Sequence, residues 1–398
     1  MCPHTFTTTG ILGEMDTLIE WKTAVVTEVV NTGLKNNYRE LKVKFNDGTE
    51  GIAVYDFDDH GQSIKVADQV LLNTTAVTLG LGTGGVHFVH TILNEGTSSA
   101  ERDVFPASKE TPMNGHIIKL RYTSLQRSVL AVEEQSSPYH ELFTQKLTLE
   151  GMPVLVGELH SMLPALLCTL QQRVKEEKKA IRIAYIMTDS AALPLAFSMH
   201  VKELKQLEWV VGCITYGQAY GGDIEAVNKH TALLAAKHVL HADLAIVLPG
   251  PGSVGTGTSL GFSGTEVAEL LNAVGALQGM PIALPRISFA DARERHRGIS
   301  HHTLTVLSDL TQIRAFVPLP ILDGEQSERI RNQVLESQIA YKHSLIWQVP
   351  LTKKQWQCAV ESYRLPIASM GRGLLEDPAF WSAVGVSANF AWHYSTRP

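Results

Sequence analysis

The chain has 398 residues, 44% hydrophobic and 19% charged, enough apolar content for one large or two medium globular domains. Lys and Arg number 34 against 40 Asp and Glu, and a net charge of −6 gives no bulk basic surface for nucleic acid or membrane. No apolar run approaches the roughly 18 residues of a spanning helix, and the opening MCPHTFTTTG does not read as a secretory signal.

Residues 1–18 read as a polar leader, and Met15 could serve as a second start. Residues 19–93 read as β. The runs WKTAVVTEVV, RELKVKF, TEGIAVY, DQVLLN and GVHFVHTI cluster or alternate β-branched and aromatic residues, and Asn46-Asp47-Gly48 is a hairpin turn signal. Five short strands in this space predict a small barrel of OB or SH3 type. A glycine cluster, Gly80 to Gly85, precedes the last of them and reads as a barrel corner. Residues 94–114 are polar and broken by proline, as expected of a linker.

From residue 115 the pattern changes. Apolar runs at 129–132, 153–158, 181–187, 208–214, 244–248, 281–284, 314–319 and 344–349 read as strands. Helical segments are predicted at 161–176, 190–205, 225–240, 264–277 and 325–341. Near-continuous apolar strands alternating with helices predict a mostly parallel, doubly wound, Rossmann-like sheet, so the expectation is an α/β domain over 115–398 behind an N-terminal barrel. The tail, with MGRG at 370–373, stays unassigned. Cys2, Cys168, Cys213 and Cys358 are too scattered for a metal knuckle or a CxxC pair and read as free thiols of a reducing cytoplasm.

Several phrases together resemble one family. VLLNTTAVTLGLGTGGVHFV, GHIIKLRYTSLQ, VLAVEEQ, GELHSMLP and GPGSVGTGT look like a bacterial family catalogued as domain of unknown function 3866. The resemblance spans the chain after about residue 20 and implies a bacterial, cytoplasmic protein. It carries over no activity, cofactor or site residue.

In an open parallel sheet, ligands bind beyond the carboxyl ends of the strands. Five predicted strand ends are polar here: Glu158, His160 and Ser161; Thr188, Asp189 and Ser190; Thr215, Tyr216, Gln218, Tyr220 and Asp223; the glycine-rich 250–264 loop; and the segment from Arg286 to His302. The bland reading is that these are ordinary loop and cap residues, with Ser161 and Ser190 as N-caps. The glycine loop contains G-x-G-x-x-G at 250–255, but Ser263-Gly264-Thr265-Glu266 fits a capping box, so the helix opens too late for a dinucleotide fingerprint. It also contains G-x-S-x-G around Ser259, about ten residues past the strand end and thus too far for a nucleophile elbow.

Backbone amides and hydroxyls of that loop could hold a phosphate or carboxylate. The segment 286–302 offers four arginines and three histidines as an anion clamp. The candidate ligand-binding residues are therefore Gly250, Gly252, Ser253, Gly255, Thr256, Thr258, Arg286, Arg293 and His301. Glu158, His160 and Asp189 are the candidate proton-transfer groups. No metal site is assigned: adjacent side chains at His301 and His302 should diverge, and His238 and His241 lie near a helix end where the dipole favours histidine anyway. No cofactor is identified. The expected function is binding of a small anionic ligand at the strand ends, as an enzyme or a sensor. The alternative is a non-catalytic scaffold whose barrel contacts a protein or RNA partner. Lys42, Lys44, Trp21 and Tyr55 would serve RNA, but an acidic turn at Asp56, Asp58 and Asp59 makes nucleic acid a poor fit, and oligomerisation stays open.

Overall fold

The computed structural model describes residues 20–30, 38–56, 63–78, 85–93, 115–120, 127–190 and 193–395. The leader, the 94–114 segment, Gly80 to Gly84 and most of the acidic turn lie outside them. The chain divides into two compact units, Met1–Glu110 and Thr111–Pro398.

The first unit is a closed five-stranded barrel, with β1 (Trp21–Val30), β2 (Tyr38–Phe45), β3 (Glu50–Asp56), β4 (Gln69–Asn73) and β5 (Val86–Ile92) in the order β1-β2-β3-β5-β4. The β3–β5 pair is parallel and the others antiparallel, which fits the OB-type alternative. The predicted turn joins β2 to β3: Asp47 Oδ1 accepts from Thr49 N at 2.9 Å. Tyr55 belongs to the barrel core with Leu41, Val43 and Leu72, and Lys42 pairs with Glu28 at 2.7 Å.

The second unit is an eight-stranded parallel sheet with helices on both faces. A short hairpin of β6 (Ile117–Lys119) and β7 (Arg127–Val129) precedes it. The sheet strands are β8 (Pro153–Val156), β9 (Ile183–Met187), β10 (Gly212–Tyr216), β11 (Ile224–Ala226), β12 (Leu244–Leu248), β13 (Met280–Ala283), β16 (Phe316–Pro320) and β17 (Ser344–Gln348). A two-stranded ribbon, β14 (Ile287–Ser288) and β15 (Gly298–Ile299), stands apart from them. The sheet order is β11-β10-β9-β12-β8-β13-β16-β17.

Alternation along each strand fills two cores. Val154, Val156, Ala245 and Val247 face α3 (Lys229–His238), α4 (Glu266–Ala276) and α5 (Gly324–Glu336). Leu155, Ile183, Leu244 and Ile246 face α1 (Met162–Glu177), α2 (Met199–Gln206), α6 (Lys353–Val360) and α7 (Pro378–Ser395). Both faces of the central strands are dry, so these strands read as continuous apolar runs. Among the described residues, no helix is long and apolar enough to cross a membrane.

Three expectations shift. The predicted 129–132 strand is split: β7 ends at Val129, and Ala131 forms a single parallel bridge to Glu225, with Val132 N donating to Glu225 O at 2.8 Å, while the Glu134 carboxylate takes the Ala131 amide at 3.1 Å. Helix α2 starts at Met199, capped by Ser198, whose hydroxyl accepts from Val201 N at 3.1 Å; Ser190 instead meets Thr188. The aromatic tail forms the 18-residue α7, whose Phe380, Trp381 and Trp392 lie in the core.

Candidate functional site

The strand order creates one switch point. From β8 the chain crosses through α1 to β9, beyond β12; from β12 it crosses through α4 to β13, on the other side of β8. Helices α1 and α4 cover opposite faces, so their connections part above β8 and β12. A crevice opens at the carboxyl ends of those two strands.

Three loops line it. Gly157 follows β8 because a Cβ there would stand 2.8 Å from Leu248 and 3.1 Å from the Met162 sulfur. The next residue, Glu158, thereby reaches the crevice. The glycine loop after β12 brings Ser253, Val254 and Gly255, and the segment after β13 brings Arg286, Arg293, Arg295, His296 and His302. Together with Met370 they line a cleft of about 170 Å³. The β14–β15 ribbon explains why one basic segment supplies so many groups. It folds the chain back, so Ser300 N donates to Arg286 O at 2.8 Å and Arg286 N to Thr303 Oγ1 at 3.0 Å.

Charges in the cleft are interlocked. Glu158, 8% exposed, stands 3.5 Å from Arg286 Nη1 and 2.9 Å from His302 Nδ1. Arg286, 5% exposed, also lies 3.6 Å from Asp291, which Arg293 grips with two hydrogen bonds of 2.9 and 2.8 Å. That grip holds the Asp291 carboxyl well below the usual range. Arg372, from the tail left unassigned in the sequence, reaches the same carboxylate at 3.6 Å. Arg286 Nη2 is buried with no hydrogen-bond partner, and so is Glu158 Oε1. Arg295 forms no ion pair among the described residues; its guanidinium lies 3.8 Å from where a Gly257 Cβ would stand.

Three histidines gather at one wall. Ring centroids are 5.0 Å apart for His296–His301 and His296–His302, and 4.3 Å for His301–His302. The expected divergence of His301 and His302 does not occur. Both sit at the start of the short His301–Thr305 helix, and Phe262 stacks flat on the His302 ring at 3.8 Å. Burial, then Arg286, lowers His296 to about 3; burial, then His302 and Arg295, lowers His301. Both rings are neutral near pH 7.

The remaining sequence candidates lie elsewhere. His160 turns from the cleft: its Nδ1 donates to Pro249 O at 3.1 Å and its Nε2 accepts from Ser198 Oγ at 2.6 Å. Asp189 accepts from Gln218 N at 2.5 Å, holding the turn after β10. Gly250 packs toward Met187 and Leu193. Gly252, with φ +105°, faces open space. Thr256 and Thr258 close the loop tip on itself through Gly261. Ser253, Gly255, Arg286 and Arg293 reach the cleft with Glu158, while His301 stands behind His302. Three strand ends therefore converge, those of β8, β12 and β13. The polar ends of β9 and β10 instead tie to α4, through Glu266 to Thr188 Oγ1 at 2.7 Å and Tyr216 Oη at 2.6 Å.

Those contacts also replace the predicted capping box, since Glu266 opens α4 but turns its side chain away from Ser263. Ser161 meets Ser369 at 2.8 Å instead of capping α1, and Lys119 is buried against Glu225 at 3.1 Å. His238 Nε2 donates to Thr148 O at 2.7 Å, and His238 belongs to no histidine cluster among the described residues. Ser259 sits exposed in the loop, with no hydrogen bond to His301 or Asp291 among the described residues. Sequence reasoning places Arg295, His296 and His302 in the basic 286–302 segment without assigning them to the site, and leaves Arg372 in the unassigned MGRG tail. The available signal was three histidines within seven residues, 296–302.

A family model described as "Protein of unknown function (DUF3866)" matches residues 54–388, and the chain belongs to that family. No curated protein matches the chain.

Proposed function

We propose that this member of the DUF3866 family binds a small anion, a phosphate- or carboxylate-bearing molecule, in the cleft at the ends of β8, β12 and β13. The observation that carries the reading is Arg286. Its guanidinium is 5% exposed, lines the cleft, and has a buried Nη2 that makes no hydrogen bond, its ion-pair partner Asp291 standing 3.6 Å away. A buried donor left unmade costs about 1–3 kcal/mol, and more when charged, so an oxygen ligand there is favoured. Arg293 and Arg295 share the rim. Three arginines against Glu158 and Asp291 leave one net positive charge. A cleft of about 170 Å³ suits a phosphate or short carboxylate better than a dinucleotide. The glycine loop also runs well ahead of α4, which opens only at Glu266. The bound anion would therefore meet loop backbone and side chains beside Ser263 and Gly264, which belong to the 3-10 turn leading into α4.

The test is thermal denaturation with phosphate, sulfate, short carboxylates and sugar phosphates, in the unaltered chain and in Arg295→Ala. Concentration-dependent stabilisation that weakens in the variant is expected. Absence of any shift up to about 10 mM, a concentration at which a millimolar Kd would stabilise by over ~1 kcal/mol, would overturn the reading.

A further inference from the structure

One ring nitrogen from each of His296, His301 and His302 lies within 4.8 Å of the other two. We propose that these three imidazoles form a binding site for a borderline divalent metal ion of the Zn²⁺ type, with a fourth position open to the cleft.

The hydrogen bonds around the trio select which nitrogens are free. His302 Nδ1 is 2.9 Å from the Glu158 carboxylate, which only accepts, so Nδ1 is the donor there and Nε2 is the nitrogen left for a metal. His296 Nδ1 is 2.8 Å from Ser300 Oγ, a hydroxyl that can give or take the proton, so its Nε2 is the nitrogen not engaged by the protein. His301 Nε2 is buried with no hydrogen-bond partner. A carboxylate behind a metal-facing imidazole is the usual support of a histidine ligand, because it fixes the ring and raises its basicity. Phe262, stacked on His302 at 2° between ring planes, fixes it further. A partnerless buried imidazole nitrogen is costly in a purely structural cluster, and a metal removes that cost.

Geometry and charge permit the ion. Nitrogens at most 4.8 Å apart lie at most about 2.8 Å from a common centre, so each must move inward by roughly 0.7 Å to reach a bond of about 2.1 Å. Three imidazole nitrogens match zinc-type ions better than the all-oxygen preference of magnesium or calcium. Arg286 and Arg293 would repel a dication, but each is paired with a carboxylate, Glu158 or Asp291, and Glu158 also stands behind His302. Because His296 and His302 also line the cleft, the fourth ligand comes from there. Three protein ligands and an open position are the pattern of a zinc site that binds exchangeable oxygen ligands. The inference does not depend on the anion reading, since a metal ion binds with or without a cleft anion.

The experiment is Co²⁺ titration of the full chain after chelation and dialysis, followed by Zn²⁺ displacement. One equivalent should bind with visible d–d absorption and be displaced by Zn²⁺. His296→Ala and His302→Ala should each weaken binding by at least about 100-fold, and Glu158→Gln by about 10–100-fold. His230→Ala, an exposed histidine on α3, should leave it unchanged. Failure to bind a stoichiometric equivalent at about 100 µM free metal, far above the affinity of a built three-histidine site, would overturn the proposal. So would full binding in both alanine variants. Should those variants unfold, carbethoxylation mapping of the unaltered chain decides: Zn²⁺ protects His296, His301 and His302 if the site exists and leaves their labelling unchanged if it does not. Cobalt binding without any anion-induced thermal shift would sink the anion reading alone.

Discussion

Glu158 Oε2 lies 2.9 Å from His302 Nδ1, joining residues 144 positions apart, while Glu158 Oε1 lies 3.5 Å from Arg286 Nη1. One buried carboxylate thus holds both the cation and the imidazole wall of the cleft. Glu158→Gln keeps the volume and removes the charge, leaving Arg286 with Asp291 alone. Urea unfolding should show a loss of about 2–4 kcal/mol, since removing one partner of a buried pair strands the other. A loss below about 1 kcal/mol would mean the pair is not desolvated as described.

Arg295 behaves differently. It forms no ion pair among the described residues and sits on the exposed rim. Arg295→Ala should change stability by no more than about 0.5 kcal/mol. Its effect should appear in anion affinity, as a several-fold weaker apparent Kd with a reduced dependence on salt. Isothermal titration at two salt concentrations checks both.

A methyl group tests how tightly the carboxylate is held. A Cβ at Gly264 would stand 2.7 Å from Glu158 Oε2 and 3.2 Å from Glu158 Cβ. Gly264→Ala should cost about 1–3 kcal/mol by overpacking and displace the carboxylate from His302. In the Glu158→Asp background, where the side chain is one methylene shorter, the same substitution should cost clearly less. Additivity of the two substitutions would refute the contact.

His160 predicts a pH dependence. Burial, then the nearby His200, lowers it to about 4 from an ordinary 6.5. Its other close neighbours, Tyr185 and Ser198, stay uncharged in this range. Above pH 6.5 the imidazole is neutral in folded and unfolded chains, and its contribution is complete. Between 6.5 and 4 only the unfolded chain takes the proton, so stability falls as pH falls, by roughly 3 kcal/mol in all. Below 4 both states are protonated and the loss is complete. Denaturation at pH 7.5 and 4.5 should show a smaller difference for His160→Gln than for the unaltered chain; equal differences would contradict the neutral, buried imidazole.

What the sequence determined by itself is the architecture. Alternation and β-branched runs with an Asn-Asp-Gly turn suffice for the barrel, because a half-buried strand writes its two faces into period two. Dry runs such as LAIVL between amphipathic helices suffice for the parallel sheet, because both faces of such a strand must be apolar. The glycine loop and Arg286 were visible for the same local reason: strand ends in such sheets carry ligand groups. Which strand ends meet was not local information. β12 pairs between β9 and β8, so its loop faces Glu158, whereas Asp189 and Tyr216 are drawn to other partners. The histidine wall was hidden for a related reason. Adjacent residues should diverge, and only the return of the β14–β15 ribbon, with Phe262 stacked on His302, gathers His296, His301 and His302 at one point. Periodicity fixes which face of each element is buried; only tertiary packing decides which charged ends share a cleft.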